Sequence, residues 1–121
     1  MIDQSSMRAA IDEIQNADPA VELAAICSHD GLVMVSTSET RDDAEVVAAI
    51  ASELLSKGRL ASTELELGAL HSELIFGEQG GIFLRVINDE IILVVRVGLA
   101  VRVGATVQQM NRIAGRLAAG F

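Results

Sequence analysis

Tryptophan and tyrosine are absent from this sequence, and phenylalanine occurs only three times. There are thus few aromatic platforms for stacking bases. With 17 acidic against 9 basic residues, for a formal net charge of −8, there is also no basic stripe to hold phosphates. Nucleic acid is therefore not an expected partner. The same charge opposes an anionic lipid surface. A single cysteine, Cys27, forms no internal disulfide, and with no His or Cys cluster beside it offers no metal site. A lone thiol suits a reducing compartment. No apolar run approaches the roughly 20 residues of a membrane-crossing helix. The opening MIDQSSMRAA has neither the basic flank nor the continuous apolar core of a secretory signal. The expected location is the cytoplasm, with no membrane partner.

What is present is aliphatic. Half of the 121 residues are hydrophobic, so the core must be built from Ile, Leu, Val and Ala. The length predicts one domain, 1–121, and a chain of this size buries about two-thirds of its unfolded surface, enough for a core without staples.

Met7, Ala10, Ile11 and Ile14 recur at helical spacing opposite Arg8, Asp12, Glu13 and Gln15, which predicts an amphipathic helix. Asp18-Pro19 ends it, because the residue before proline is pushed out of the α region. Val21 to Ser28 and Leu32 to Thr37 read as strands joined at His29-Asp30-Gly31, a turn that exploits glycine's tolerance of positive φ. Thr40 with Asp43 has the pattern of a capping box, and Asp42, Asp43 and Glu45 suit the positive end of the helix that follows. That helix carries Val47, Ile50, Leu54 and Gly58 on one stripe and the small-residue set Ala44, Ala48, Ala51 and Leu55 on a second. Lys57 and Arg59 are expected near its negative end, with a break around Leu60 to Thr63. A third strand is predicted within Leu65 to Gly77, its alternation changing phase at Gly68-Ala69, where a glycine suggests a bend. Ile82 to Ile87 and Ile91 to Val97 complete a three-strand meander. Thr106 and Gln109 have the spacing to cap a final helix with Val107, Met110, Ile113, Ala114 and Leu117 on its apolar face.

The fold class is therefore α+β, in the order α-β-β-α-β-β-β-α, with a five-stranded antiparallel sheet. The fifth strand, IILVVRV, is apolar on both alternations, so both faces of the sheet must be covered. Two helices on one face leave one for the other. A helix covers a strip about 10 Å wide, too narrow for five strands spaced nearly 5 Å apart. A second copy of the chain is the economical cover.

The candidate chemical groups have simpler roles. Ser28, His29 and Asp30 are adjacent in a tight turn, whereas a nucleophile and its base must converge. Cys27 alternates with Ala25 as a small buried hydrophobe, and His71 stands alone. Gly77-Glu78-Gln79-Gly80-Gly81 leads into a strand and lacks the lysine of a phosphate cradle. No catalytic residue, metal or cofactor is expected, and the chain does not read as an enzyme.

The order of elements, the DGLVMVS hairpin, the helix beginning DDAEVVAAIASEL and the meander GIFLRVINDEIILVVRV resemble the roadblock/dynein light chain family over nearly the whole chain. The resemblance implies a profilin-like layer architecture, with the first and third helices on one face and the second on the other. It also implies pairing through the third strands with the second helices side by side. In function it implies service to small Ras-like GTPases. The bacterial polarity-type members accelerate GTP hydrolysis by ordering the GTPase's own catalytic residues, while eukaryotic relatives build scaffold complexes. The expected function is that of a homodimeric, non-catalytic activator or scaffold of such a GTPase. The alternative is a structural adaptor without effect on turnover.

The segment Ala69 to Phe76 has neither Pro nor Lys, so as an edge strand it invites pairing. The expected dimer interface comprises Ala44, Ala48, Ala51, Leu55, Leu70, Ser72, Leu74 and Phe76. The expected partner surface comprises Arg41, Asp42, Glu45, Ser52, Glu53 and Lys57, around the second helix.

Overall fold

The computed structural model describes residues 2–120. Helix α1 (Gln4–Ala17) is capped by Asp3, whose carboxylate accepts the Ser6 amide at 2.7 Å. It buries Met7, Ala10, Ile11 and Ile14. Asp18 closes it in an extended conformation, and its own carboxylate accepts the amides of Ala20 (2.9 Å) and Arg102 (3.0 Å). Strands β1 (Val21–Ser28) and β2 (Val33–Ser36) form the predicted hairpin, with Gly31 at φ +89° in its turn.

Helix α2 (Arg41–Glu64) is longer than expected. No break occurs at Leu60 to Thr63, where neither Gly nor Pro interrupts the helix. The helix stops only where Glu66 (φ 56°) and Gly68 (φ 87°) take left-handed conformations. Lys57 and Arg59 consequently lie more than a turn before the end, and its last turn carries no base. The expected phase change at Gly68-Ala69 is this left-handed connection rather than a bend within a strand. Strand β3 spans only Ser72–Gly77, followed by β4 (Gly80–Val86) and β5 (Ile91–Val97). Helix α3 (Val103–Ala119) starts three residues before Thr106. Thr106 is buried inside it, so the expected capping box does not form.

The strand order is β2-β1-β5-β4-β3, antiparallel throughout. Helices α1 and α3 bury their apolar faces on one side, with Ala24, Ile26, Phe83, Leu93 and Val95 of the sheet. Helix α2 lies on the other side, chiefly over β1, β2 and β5, against Leu23, Ala25, Cys27, Leu84, Ile92 and Val94. β5 supplies both cores, which is why it is apolar on both alternations.

Candidate functional site

Two apolar stripes run along α2, and the sheet takes the small one. Ala44, Ala48, Ala51 and Leu55 retain 3, 0, 0 and 2 % exposure beneath the helix. The expectation that these four line a dimer interface is therefore overturned. Their small side chains let α2 approach its own sheet and the β1–β2 turn, and no surface is left for another chain. A Cβ placed on Gly31 would stand 3.3 Å from the Ala48 carbonyl, which measures how closely the turn is tucked in. The other stripe faces outward: Val46 is 59 % and Ile50 47 % exposed, and Leu54 is half-buried. Val47, expected on the stripe of Ile50, is instead turned to the sheet. Counting back one helical turn from Ile50 would have found Val46 in the sequence.

The sheet ends at the edge strand β3, which approaches α2 at Gly58. Leu74 and Phe76 point to one face of the sheet and Ile75 to the other, and all three remain more than two-fifths exposed. The Phe76 ring meets that of Phe83 edge-on, with centroids 5.4 Å apart. The Val86 amide donates to the His71 carbonyl, so alternation turns the backbone groups of Ser72, Leu74 and Phe76 off the sheet. Ser72 is half-buried, its hydroxyl 3.1 Å from His71 Nδ1, and Leu70 packs below the strand against the α2-side core. Glu73 passes under α2 at Gly58, where a Cβ would come within 2.6 Å of its carboxylate. One of its oxygens is buried without a partner, and burial pushes the carboxyl upward from its ordinary value.

Of the residues expected on the partner surface, Asp42, Glu45, Glu53 and Lys57 are exposed on α2. The side chain of Arg41 lies outside the described residues. Ser52 is already engaged: its hydroxyl donates to the His29 carbonyl at 2.8 Å, fastening α2 to the hairpin turn. Arg59, expected only to sit near the negative end of the helix, meets His29 Nδ1 at 2.9 Å. Thr40 stands at the N-cap position but its side chain makes no capping bond, so the expected box does not form; its hydroxyl donates instead to the Asp43 carboxylate at 2.7 Å.

The stretch with Ser, His and Asp in succession does not converge. The Ser28 hydroxyl accepts the Leu32 amide at 3.0 Å while the His29 ring turns to Arg59. Cys27 is fully buried, and that burial pushes its thiol up to about 12. Among the described residues no group of three His, Cys, Asp or Glu side chains could hold a metal, and no helix is long and apolar enough to cross a membrane.

Residues 9–96 match the family model of the Roadblock/LC7 domain. The chain is 34% identical over 106 residues to an uncharacterised protein of Methanocaldococcus jannaschii, a match covering 88% of this chain and 89% of that one. A solved Roadblock/LC7 domain from Streptomyces avermitilis superposes with a TM-score of 0.86 at 21% identity, covering 93% of this chain and 94% of the other. The gliding protein MglB from Thermus thermophilus superposes with a TM-score of 0.84 at 13% identity, covering 96% and 88%. Both structures share the fold.

Proposed function

Because the chain belongs to the Roadblock/LC7 family, a non-catalytic regulatory fold, we propose that it acts as a homodimeric regulator of a small Ras-like GTPase. The observation that carries this reading is the apolar surface that the fold leaves open: Val46 and Ile50 on α2, Ile75 on the α2 face of β3, and Leu74 and Phe76 on its opposite face. A monomer gains nothing by exposing both an unprotected strand edge and an apolar helix stripe. A two-fold partner joining β3 to β3 covers both at once, since an isologous interface uses the same patch twice.

In such a dimer the charged crest of each α2, with Asp42, Glu45, Glu53 and Lys57, forms one continuous surface. The GTPase docks there and supplies the chemistry, and the dimer contributes contacts. The likeness of fold to MglB supports this reading.

The test is multiple-turnover GTP hydrolysis by a Ras-like GTPase of the same organism, titrated with this protein, alongside direct binding. A rate that changes and saturates at a fixed ratio to dimer supports regulation. Binding with an unchanged rate assigns the chain to the adaptor role instead. Glu45→Lys with Glu53→Lys should weaken binding while the dimer persists, because charge complementarity governs encounter. Unaltered affinity in that variant moves the partner off α2, and no binding by any Ras-like GTPase overturns the reading.

A further inference from the structure

Strand β3 carries one charged residue, Glu73, on the edge through which two copies are proposed to join. Its side chain stands on the α2 face, opposite Leu84 of β4 and under Gly58, which has no side chain to hold the carboxylate off. Oε2 is sealed there without a hydrogen-bond partner. Oε1 bonds to no described residue and is not sealed, so it meets water beside a cleft of about 360 Å³ that Glu73 lines with Gly58, Ala61, Leu70 and Ser72.

No neighbouring cation compensates this carboxylate. On α2, Arg59 is turned to His29, and Lys57 is exposed on the helix surface. Glu64 and Glu66, exposed at the end of that helix, add only negative charge. Along the strand His71 is exposed, with its Nδ1 on the Ser72 hydroxyl, and β4 offers Leu84 and Ile82. Burial alone moves the carboxyl upward.

Pairing through β3 deepens that burial in whichever register it occurs. A two-fold axis at Leu74 matches all three outward residues, Ser72, Leu74 and Phe76, and sets Glu73 opposite the other copy's Ile75. An axis at Ile75 sets it opposite Gly77, and one at Glu73 opposite the other Glu73. No register brings a cation across the strands, and each covers the edge beside the carboxylate. We infer, on the reading that copies join through β3, that Glu73 makes this association proton-linked: each copy takes up a proton there on pairing, and the dimer loosens as the pH rises.

The direction follows from the two environments. Burial holds the carboxyl above its ordinary 4.5 in the single chain, and higher still in the pair. Well below the single-chain value both forms are protonated and pH has no effect through Glu73. Above it the pair holds more protons, at most one per copy. The dimer constant then falls by up to about a hundredfold per pH unit, until the paired carboxyls ionise as well.

Sedimentation equilibrium of wild type and Glu73→Gln, from about pH 5 to about pH 8, tests the linkage. Gln leaves every other charge in place, so the general repulsion between two acidic chains is common to both proteins, and salt screens it. The variant should dimerise as wild type does at the acid end and at least about tenfold more tightly at the other, in low and high salt alike. Calorimetric dilution in two buffers of different protonation heat should show protons released as the wild-type dimer dissociates, and fewer from the variant. Should Glu73→Gln alter the far-ultraviolet circular dichroism, Glu73→Met takes its place, uncharged and of similar length. Dimer constants that run parallel with pH in the two proteins overturn the linkage and leave the β3 dimer standing. A Leu74→Lys variant that pairs as tightly as wild type, with the same pH dependence, moves the contact off β3 and overturns both.

Discussion

Replacing both Val46 and Ile50 with lysine separates the two stripes of α2 by their energetics. The side chains are 59 % and 47 % exposed in the single chain, so about half of their transfer free energy is still to be gained. Full burial of Val or Ile contributes about 1.5–3 kcal/mol, which leaves about 1 kcal/mol for each to gain in an interface. A two-fold contact counts each residue twice, for a total of about 4 kcal/mol. At about 1.4 kcal/mol per tenfold, that corresponds to roughly a thousandfold in the dimer constant, before the repulsion of the new lysines is added. Substitutions at positions this exposed should alter the folding stability of the single chain by only about 0.5 kcal/mol. The assay is sedimentation equilibrium for the dimer constant and urea unfolding for stability. Wild-type dimerisation in the double variant would refute the assignment of this stripe to the interface. Ala48→Lys provides the contrast, since it forces a charge into the core beneath α2 and should prevent folding altogether.

Three further outcomes are expected. Gly31→Ala should destabilise the chain by about 1–2 kcal/mol in urea unfolding, because a side chain pays the left-handed penalty at φ +89° in addition to its close approach to the Ala48 carbonyl. Burial raises the carboxyl of Glu73 above its ordinary 4.5, so the folded state favours the protonated form and ionisation costs stability as pH rises past that value. Glu73→Gln should therefore melt higher than wild type at neutral pH, with the difference closing as the pH approaches the carboxylate range. Asp18 has the opposite sign: the amides of Arg102 and Ala20 hold its carboxyl below the ordinary 3.8, giving stability that is present above that value and lost as pH falls through the folded pKa. Asp18→Asn should flatten the acid limb of a melting-temperature profile, and an unchanged limb would refute the role.

The turns and strands were the most legible part of the sequence, because their signals are local. Asp30-Gly31 needs only its own backbone to specify a turn, and β5, apolar on both alternations, announces a sheet covered on both faces. The stripes of α2 were not separable in the same way. A period of 3.6 shows that Ala44, Ala48, Ala51 and Leu55 share a face, but small residues serve close approach to a sheet as well as to a helix. The decision lay with Leu23, Ala25, Ile92 and Val94, far away in sequence. Val46 escaped notice because it was outside the stripe traced from Val47. Thr106 misled for a related reason: its capping pattern is local, whereas its burial depends on the sheet beneath α3. Ser52 and Arg59 read as solvated positions on a helix, and only the packing of the hairpin turn against α2 gives them the His29 carbonyl and ring to hold.

With no tryptophan or tyrosine, the molecule offers little intrinsic optical signal for the motions of its core, but Cys27 provides a chemical one. It lies in β1, opposite Ile92 of β5, roofed by α2. A sealed thiol reacts with an alkylating reagent only during an opening that exposes it, so the labelling rate at saturating reagent counts those openings. The natural chain thus contains a stopwatch for the separation of α2 from the sheet. Labelling slowed by a bound GTPase would mean that the partner holds that helix down, and labelling accelerated would mean that it pries the helix up.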